Sequence, residues 1–467
     1  MRLDIARQEH YSGRMRTAHG GWAKAGAAAL AAALGASGCA TGPSASTKEV
    51  VNAYVASHDY AQAEAFLDAH KDDQYGRQNA VLFYLDKGAV QSYAGEYKQS
   101  DATLDLAEQR MDELYTTSIS KTGGMLLLSD NTVDYAGEPY ERALLNVFRA
   151  LDYVFLGEHD EALVESRKLE RFLQELEDTT GGKGIYKDDA FAHYLNALLF
   201  ADAGEMDDAR ISLRAADAAY RDYASMYGTP IPHFDLPKPN KKNGELVFIH
   251  YNGVAPRKTS RTYQIAWNEA AMIVRQDDSA DQQARNAIVG GFMGNAVTVA
   301  FPEFVQDPYR IQSSEVWIDS RPAATTQLME DVTAIAAKSL QNRIGLIRTR
   351  AIARATVKYV LAELAARAAA AACDRQFGSG SWQDLLCKAA SSGIAHGVAA
   401  ATEVADVRCW GTVPAQLRMA RVKVPAGRHD VELVFKDAAG VIVSSQTFSG
   451  VDIAPRRRTY IAWRTAQ

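Results

Sequence analysis

The sequence predicts a multidomain α+β protein: a helical-repeat domain over residues 48–230, then a β-sandwich-like antiparallel domain over residues 231–467 with an inserted helical hairpin at about 327–405. Three observations carry that prediction. Apolar residues of the first half recur around small residues and turn residues at a fixed spacing. Short strand-like runs bounded by Asn252-Gly253, Pro425-Ala426-Gly427 and Asp437 to Gly440 fill the second half. Between two groups of those runs, Leu340, Ile344, Ile347, Ala351, Val357, Leu361 and Leu364 keep a helical period.

In the first half, four segments place a small residue seven positions before a turn residue, and Ala or Ser five positions after it. They are Ala150, Gly157 and Ala162; Ala197, Gly204 and Ala209; Gly88, Gly95 and Ser100; and, in looser form, Val51, His58 and Ala63. Small side chains at those places let two antiparallel helices approach, and the glycine supplies the turn. The pattern resembles the tetratricopeptide repeat, with Tyr54, Tyr153 and Phe200 where that repeat carries a large aromatic residue. Insertions separate the units, chiefly Tyr115 to Gly137 and Glu177 to Asp188. The first of these holds Asp130-Asn131, Tyr135, Gly137-Glu138 and Tyr140-Glu141-Arg142, and a loop between helical pairs is a place for binding function. Glu158, Asp160, Glu161 and Glu165 lie at helical spacing without His partners, which reads as a solvated face and not a metal site.

A proline-rich linker, Pro232 to Lys242, precedes the strands. Leu246 to Tyr251, Tyr263 to Trp267, Ala296 to Phe301, Glu315 to Asp319, Arg418 to Val424, His429 to Phe435, Val441 to Phe448 and Thr459 to Trp463 are the strand candidates. On the inserted helix, Arg343, Arg350, Arg354 and Lys358 form a basic stripe that either covers the strand domain with its charges solvated or meets lipid headgroups, peptidoglycan carboxylates or the acidic repeats. Charge is uneven. Residues 48–230 carry 17 Lys/Arg against 34 Asp/Glu, a net of −17, and residues 231–467 carry 29 against 21, a net of +8. Such halves attract, within one molecule or between copies.

The N-terminus has a different character. Arg14, Arg16 and Lys24 precede the apolar run Ala25 to Leu34, and Gly35-Ala36-Ser37-Gly38 lead to Cys39. A basic flank, a run too short to span a bilayer and small residues before a cut form a secretion signal over residues 1–38, with Met15 an alternative start. Small residues directly before Cys39 resemble the lipobox of bacterial lipoproteins, although Ala36 stands where that motif favours Leu. The resemblance implies lipidation of Cys39, a short tether over residues 39–47, and permanent anchoring by two or three acyl chains. Ala40 after the lipid implies the periplasmic leaflet of the outer membrane. In an exported chain, Cys373 and Cys387 flank a Gly/Ser-containing hairpin tip and are expected to form a disulfide, leaving Cys409 unpaired and buried beside Trp410.

No H-E-x-x-H, G-x-S-x-G, phosphate-binding loop or C-x-x-C occurs, and Gly181-Gly182-Lys183-Gly184 lacks the spacing of a phosphate loop. The expectation is therefore a non-enzyme without cofactor, metal or nucleic-acid partner. A peptidoglycan hydrolase with dispersed carboxylates is the enzyme class such a search would miss. Taken together, Tyr140-Glu141-Arg142, Ala351-Ile352-Ala353-Arg354-Ala355 and Asp406-Val407-Arg408-Cys409-Trp410-Gly411-Thr412-Val413-Pro414 resemble the recurrent features of a largely uncharacterised family of bacterial lipoproteins with tetratricopeptide-like repeats. Cys409 and Gly411 depart from the Ser and Arg usual there. The resemblance implies a membrane-anchored scaffold or assembly factor working with envelope proteins, since genes of that family often lie beside those of other small outer-membrane lipoproteins, including relatives of activators of penicillin-binding proteins. It marks Tyr135, Arg408 and Trp410 as candidate contacts beside Tyr140, Glu141 and Arg142. The alternative is a structural subunit of an oligomeric export or secretion assembly.

Overall fold

The computed structural model describes residues 42–118, 133–180, 186, 188–233, 235–236, 242–276, 296–401 and 403–467. The signal over residues 1–38, Cys39, Asp130-Asn131, Gly181 to Gly184 and Pro237 to Lys241 lie outside the described residues. Within the compact unit Ala40–Gln467, helices come first and strands follow. The helices are α1 (Ala45–Ala56), α2 (Tyr60–Ala69), α3 (Ala80–Tyr93), α4 (Tyr97–Ser118), α5 (Pro139–Leu156), α6 (His159–Thr180), α7 (Ala190–Ala203) and α8 (Met206–Tyr227).

Pairs α3/α4, α5/α6 and α7/α8 are hairpins lying side by side. Their turns fall on Gly95, Gly157 and Gly204, all at positive φ, and α1 gives way to α2 at His58, which takes φ 58° without being a glycine. The small positions before and after each turn are the contact points. Ala150, Ala162, Ala197, Ala209 and Ser100 are buried, and Ser100 Oγ donates to the Gly88 carbonyl across 2.9 Å. A Cβ on Gly88 would lie 2.6 Å from Leu104, so α3 and α4 approach more closely than any larger residue allows. Glu165 departs from the solvated face expected around Gly157. It is buried, beside Arg149, because Arg149 is a buried cation that gathers Asp101 and Glu108 from α4 and Glu165 from α6.

The strands are β1 (Asn243–Asn252), β2 (Arg257–Ala266), β3 (Ala296–Val305), β4 (Ser313–Ile318), β5 (Arg321–Thr325), β6 (Gln327–Asp331), β7 (Gln416–Pro425), β8 (Gly427–Lys436), β9 (Ile442–Ile453) and β10 (Arg458–Thr465). Helices α9 (Trp267–Gln276), α10 (Val332–Phe377) and α11 (Trp382–Ala401) interrupt them. Two four-stranded sheets form, in the orders β10-β1-β7-β6 and β5-β4-β8-β9, with β2 and β3 a separate antiparallel ribbon. The first sheet is mixed. β1 and β10 run parallel, which corrects the all-antiparallel expectation. A second correction concerns the insertion: residues 327–331 are the edge strand β6, and the helix begins at Val332, capped by Asp331.

Alternation along β1 explains its nearly continuous apolar run. Val247, Ile249 and Tyr251 enter the hydrophobic cluster shared with α1–α8, while Leu246 and Phe248 enter a second cluster with Val316, Leu433 and Phe435 of the other sheet. β7 does the same, sending Leu417 and Met419 one way and Ala420 and Val424 the other. The first sheet thus lies between the helices and the second sheet, and the main core runs across the 230/231 position where helices give way to strands. A third cluster joins the β2/β3 ribbon and α9 to residues 351–360 of α10.

Candidate functional site: a clasp around residues 406–412

Residues 406–412 carry no helix or strand, yet they are largely buried. A buried main chain without secondary structure must find partners elsewhere, and here the helices supply them. Lys48 Nζ donates to the Cys409 carbonyl across 3.3 Å, and Asn52 Nδ2 to the Gly411 carbonyl across 3.1 Å. Tyr93 OH donates to the Thr412 carbonyl across 3.1 Å. In the other direction, the Trp410 N–H donates to Glu141 Oε1 across 2.7 Å, and both the Gly411 and Thr412 N–H groups donate to Asp86 Oδ1 across 3.0 Å. Four consecutive residues are held through their backbone, as a bound peptide would be.

The local sequence sets up each carboxylate. Pro139 opens α5, and Glu141, three residues after the cap position Glu138, turns back to accept from the Glu138 N–H across 2.9 Å. Tyr135 OH donates to the same oxygen across 2.6 Å. Burial pushes the Glu141 carboxyl above its usual range, helped by the negative charge of Glu138. Glu138 goes the other way. Despite its burial, Lys258 Nζ at 2.6 Å and the Arg343 guanidinium hold it below the usual range. Asp86 is raised by burial, against the hydrogen bond from Tyr75, the charge of Lys48 and the bonds from Thr412.

Side chains of the segment complete the clasp. Arg408 forks onto Asp406 through Nε and Nη2 at 2.9 and 2.8 Å, and its Nη1 donates to the Val133 carbonyl across 2.7 Å. Its guanidinium lies 5.2 Å from the Tyr135 ring centre. Trp410 packs 5.5 Å from Phe148 and donates its indole N–H to Thr412 across 3.0 Å. Phe148 in turn stacks on Tyr251 of β1 at 5.3 Å.

Tyr135, Tyr140, Glu141, Arg408 and Trp410 are thus brought to one place, but they are buried and face one another, not an outside partner. Arg142 stands beside them and serves α4 and α6, pairing with Asp112 and lying 4.7 Å over the Phe172 ring. The basic stripe is divided. Arg343 meets Glu138, Arg350 is exposed, and Arg354 and Lys358 turn inward to Glu403, with Lys358 Nζ at 2.6 Å. Solvated charges are therefore the wrong description of Arg354 and Lys358, because Glu403 returns beside them after α11. Part of the charge asymmetry is also used within the chain: Lys258 and Arg343 meet Glu138, and Arg458 and Tyr460 meet Asp202 of α7. Lys48, Asp86, Lys258 and Glu403 are the residues sequence reasoning missed.

Cys409 is free and buried, as expected, and Cys373 and Cys387 are joined across a Cα separation of 5.9 Å. Beside the clasp a cleft of about 300 Å³ is lined by Lys48, Asn52, Arg257, Asp307, Cys409 and Gly411, with Arg257 and Asp307 paired at 3.0 Å. Among the described residues there is no group of His, Cys, Asp and Glu side chains arranged to hold a metal, and no helix is long and apolar enough to cross a membrane. No protein family, curated protein or solved structure matches the chain.

Proposed function

We propose that the chain is a lipid-anchored protein of the bacterial envelope, exposed on the periplasmic side of the outer membrane, and that it works as a binding scaffold or assembly factor. One observation carries this reading: three helical hairpins lie side by side, and the clasp around residues 406–412 ties two of them, through Asp86 and Glu141, to the segment that leads into β7. We read the hairpins as tetratricopeptide-like repeats and the two sheets as a sandwich. Stacked hairpins of that kind present a continuous surface suited to an extended partner. The basic flank, apolar run and Cys39 support the anchor. Peptidoglycan synthesis is the pathway that the lipoprotein resemblance favours.

Crosslinking in intact cells, followed by identification of the bound proteins, tests the scaffold reading. Envelope proteins recovered with the wild type and lost with Cys39→Ala are the expected result. Zymogram clearing of peptidoglycan by stringently purified protein would overturn it in favour of a hydrolase. Sedimentation velocity separates a monomeric scaffold from a subunit of an oligomeric export assembly.

A further inference from the structure

α10 runs for 46 residues, about 69 Å at the rise of an α-helix. Val332 and Ile335 anchor its start in the main core, and residues 351–360 pack on the β2/β3 ribbon. Among the described residues, the three hydrophobic clusters contain none of α10 beyond Val360 and none of α11. The far end of this hairpin is nonetheless apolar. Trp382 is 67% exposed, Leu385 61% and Leu386 58%, and Phe377 joins them around the turn at Gly378-Ser379-Gly380.

Two features of this end matter. The first is that its turn is closed by its own helix caps and by one lysine, which hold it in a single shape. The Gly378 N–H donates to the Asp374 carbonyl, Ser381 N–H to the Gly378 carbonyl, and Leu385 N–H to the Ser381 carbonyl. Gly380 N–H donates to Asp384 Oδ2 across 3.0 Å and Asp384 N–H to Ser381 Oγ across 3.1 Å. Lys388 Nζ ties Asp374 at 2.7 Å to Asp384 at 2.9 Å. The second is the sign of what stays exposed. Over residues 361–395 the exposed charged residues are Arg367, which pairs with Glu363 at 2.9 Å, and Arg375, while Asp384 is buried and Glu363 and Asp374 are half-buried. Arg375 sits two residues from Phe377, where a long cationic side chain reaches back toward phosphates as the aromatic residue enters.

We propose that the Cys373–Cys387-closed end of the α10–α11 hairpin inserts Phe377, Trp382, Leu385 and Leu386 into the interfacial layer of an anionic phospholipid bilayer. The depth is that of a peripheral element, about 5–10 Å, with the two arginines at the headgroups. This is a second membrane contact, independent of the lipid on Cys39. The disulfide presents the four side chains in a fixed arrangement, so little ordering is lost on entry.

The test uses the chain from Ala40, which contains all three hydrophobic clusters and lacks Cys39. Vesicles of phosphatidylcholine with phosphatidylglycerol should co-sediment it at least tenfold more strongly than phosphatidylcholine alone. Trp382→Ser combined with Leu385→Ser and Leu386→Ser should lose at least tenfold of that binding. Arg367→Gln with Arg375→Gln should remove the preference for the anionic lipid. A blue shift of tryptophan emission on adding vesicles should disappear in Trp382→Phe, whose circular dichroism and melting should match the wild type. Equal sedimentation of the triple variant and wild type overturns the proposal. So does an absence of vesicle binding together with a dimer that the triple variant dissolves, which would make this surface a contact between copies. Because Cys39 is absent throughout, failure here leaves the anchor reading untouched.

Discussion

The main-chain N–H of Trp410 donates to the side chain of Glu141 across 2.7 Å, joining residues 269 positions apart. Glu141 at the same time satisfies Tyr135 OH and the Glu138 N–H. Replacing Glu141 with Ala leaves three buried donors unpaired, and a loss of about 2–4 kcal/mol is expected in urea unfolding. Glu141→Gln keeps an acceptor oxygen and should cost about half as much. Equal losses would show that charge, and not bond number, sets the strength of the clasp.

Lys258 and Glu138 form a buried ion pair at 2.6 Å, with Arg343 as the second cation on the carboxylate. Lys258→Met leaves the buried carboxylate with Arg343 as its one remaining cation and should cost about 2 kcal/mol, because a buried charge that loses half its compensation is worse than no charge. Adding Glu138→Gln should return most of that loss. The comparison is a double-mutant cycle by chemical denaturation, and simple additivity would contradict the pairing.

Asp152 supplies a pH signature. Burial pushes its carboxyl up to about 8, against hydrogen bonds from Ser100 and Ser92, with Ser92 Oγ at 2.6 Å. In the unfolded chain it ionises near 3.8, so between about pH 4 and pH 8 the folded form holds a proton that the unfolded form has released. Stability from this group is complete below pH 4 and falls as the pH rises toward 8. Asp152→Asn mimics the protonated form. Its melting temperature should match wild type at pH 4 and exceed it at pH 8, by a gain on the order of 2 kcal/mol, within the limit of about 1.4 kcal/mol per pH unit. A gain independent of pH would point to packing instead.

The disulfide closes a loop between residues 14 apart, on a part of the hairpin outside the three hydrophobic clusters. Replacing both cysteines with Ser should loosen the tip by about 3 kcal/mol of chain entropy. It should leave the main unfolding transition in place, because tip and core share few contacts. Limited proteolysis checks both parts: cleavage near Gly378 to Ser381 should accelerate while the core fragment persists. Loss of the whole fold would mean that the hairpin tip supports the core.

Local features of this molecule are legible in its sequence. Gly95, Gly157 and Gly204 mark helix ends because each must adopt a left-handed backbone, and the small residues around them mark where helices touch. Cys373 and Cys387 pair because two helices bring them opposite each other across a short turn. Pairings between distant segments are not legible. The parallel partnership of β1 and β10 leaves no local trace, since each strand reads the same beside any neighbour. Two strands, β5 and β6, are hidden by Pro322 and by polar residues at sheet edges. At the clasp, Tyr140-Glu141-Arg142 and the 406–414 segment stand out separately, but that they bind each other depends on the whole intervening fold. Asp86 was the available clue. It interrupts the apolar run from Ala80 to Ala89 inside a buried helix, where a lone carboxylate needs partners.

The partnership of β1 with β10 also governs the order in which the molecule can be completed. β1 belongs to the wall that covers the helices, yet one of its edges is closed by a strand whose first residue, Arg458, pairs with Glu245 from 213 positions away. Synthesis therefore delivers the helical hairpins long before their cover exists, and apolar faces such as that of Phe148 wait for Tyr251 and Trp410 to arrive. A chain built this way folds late and slowly, because its distant contacts require closure of very long loops. That delay makes a holding chaperone more useful to this protein than to one that finishes each hairpin as it emerges.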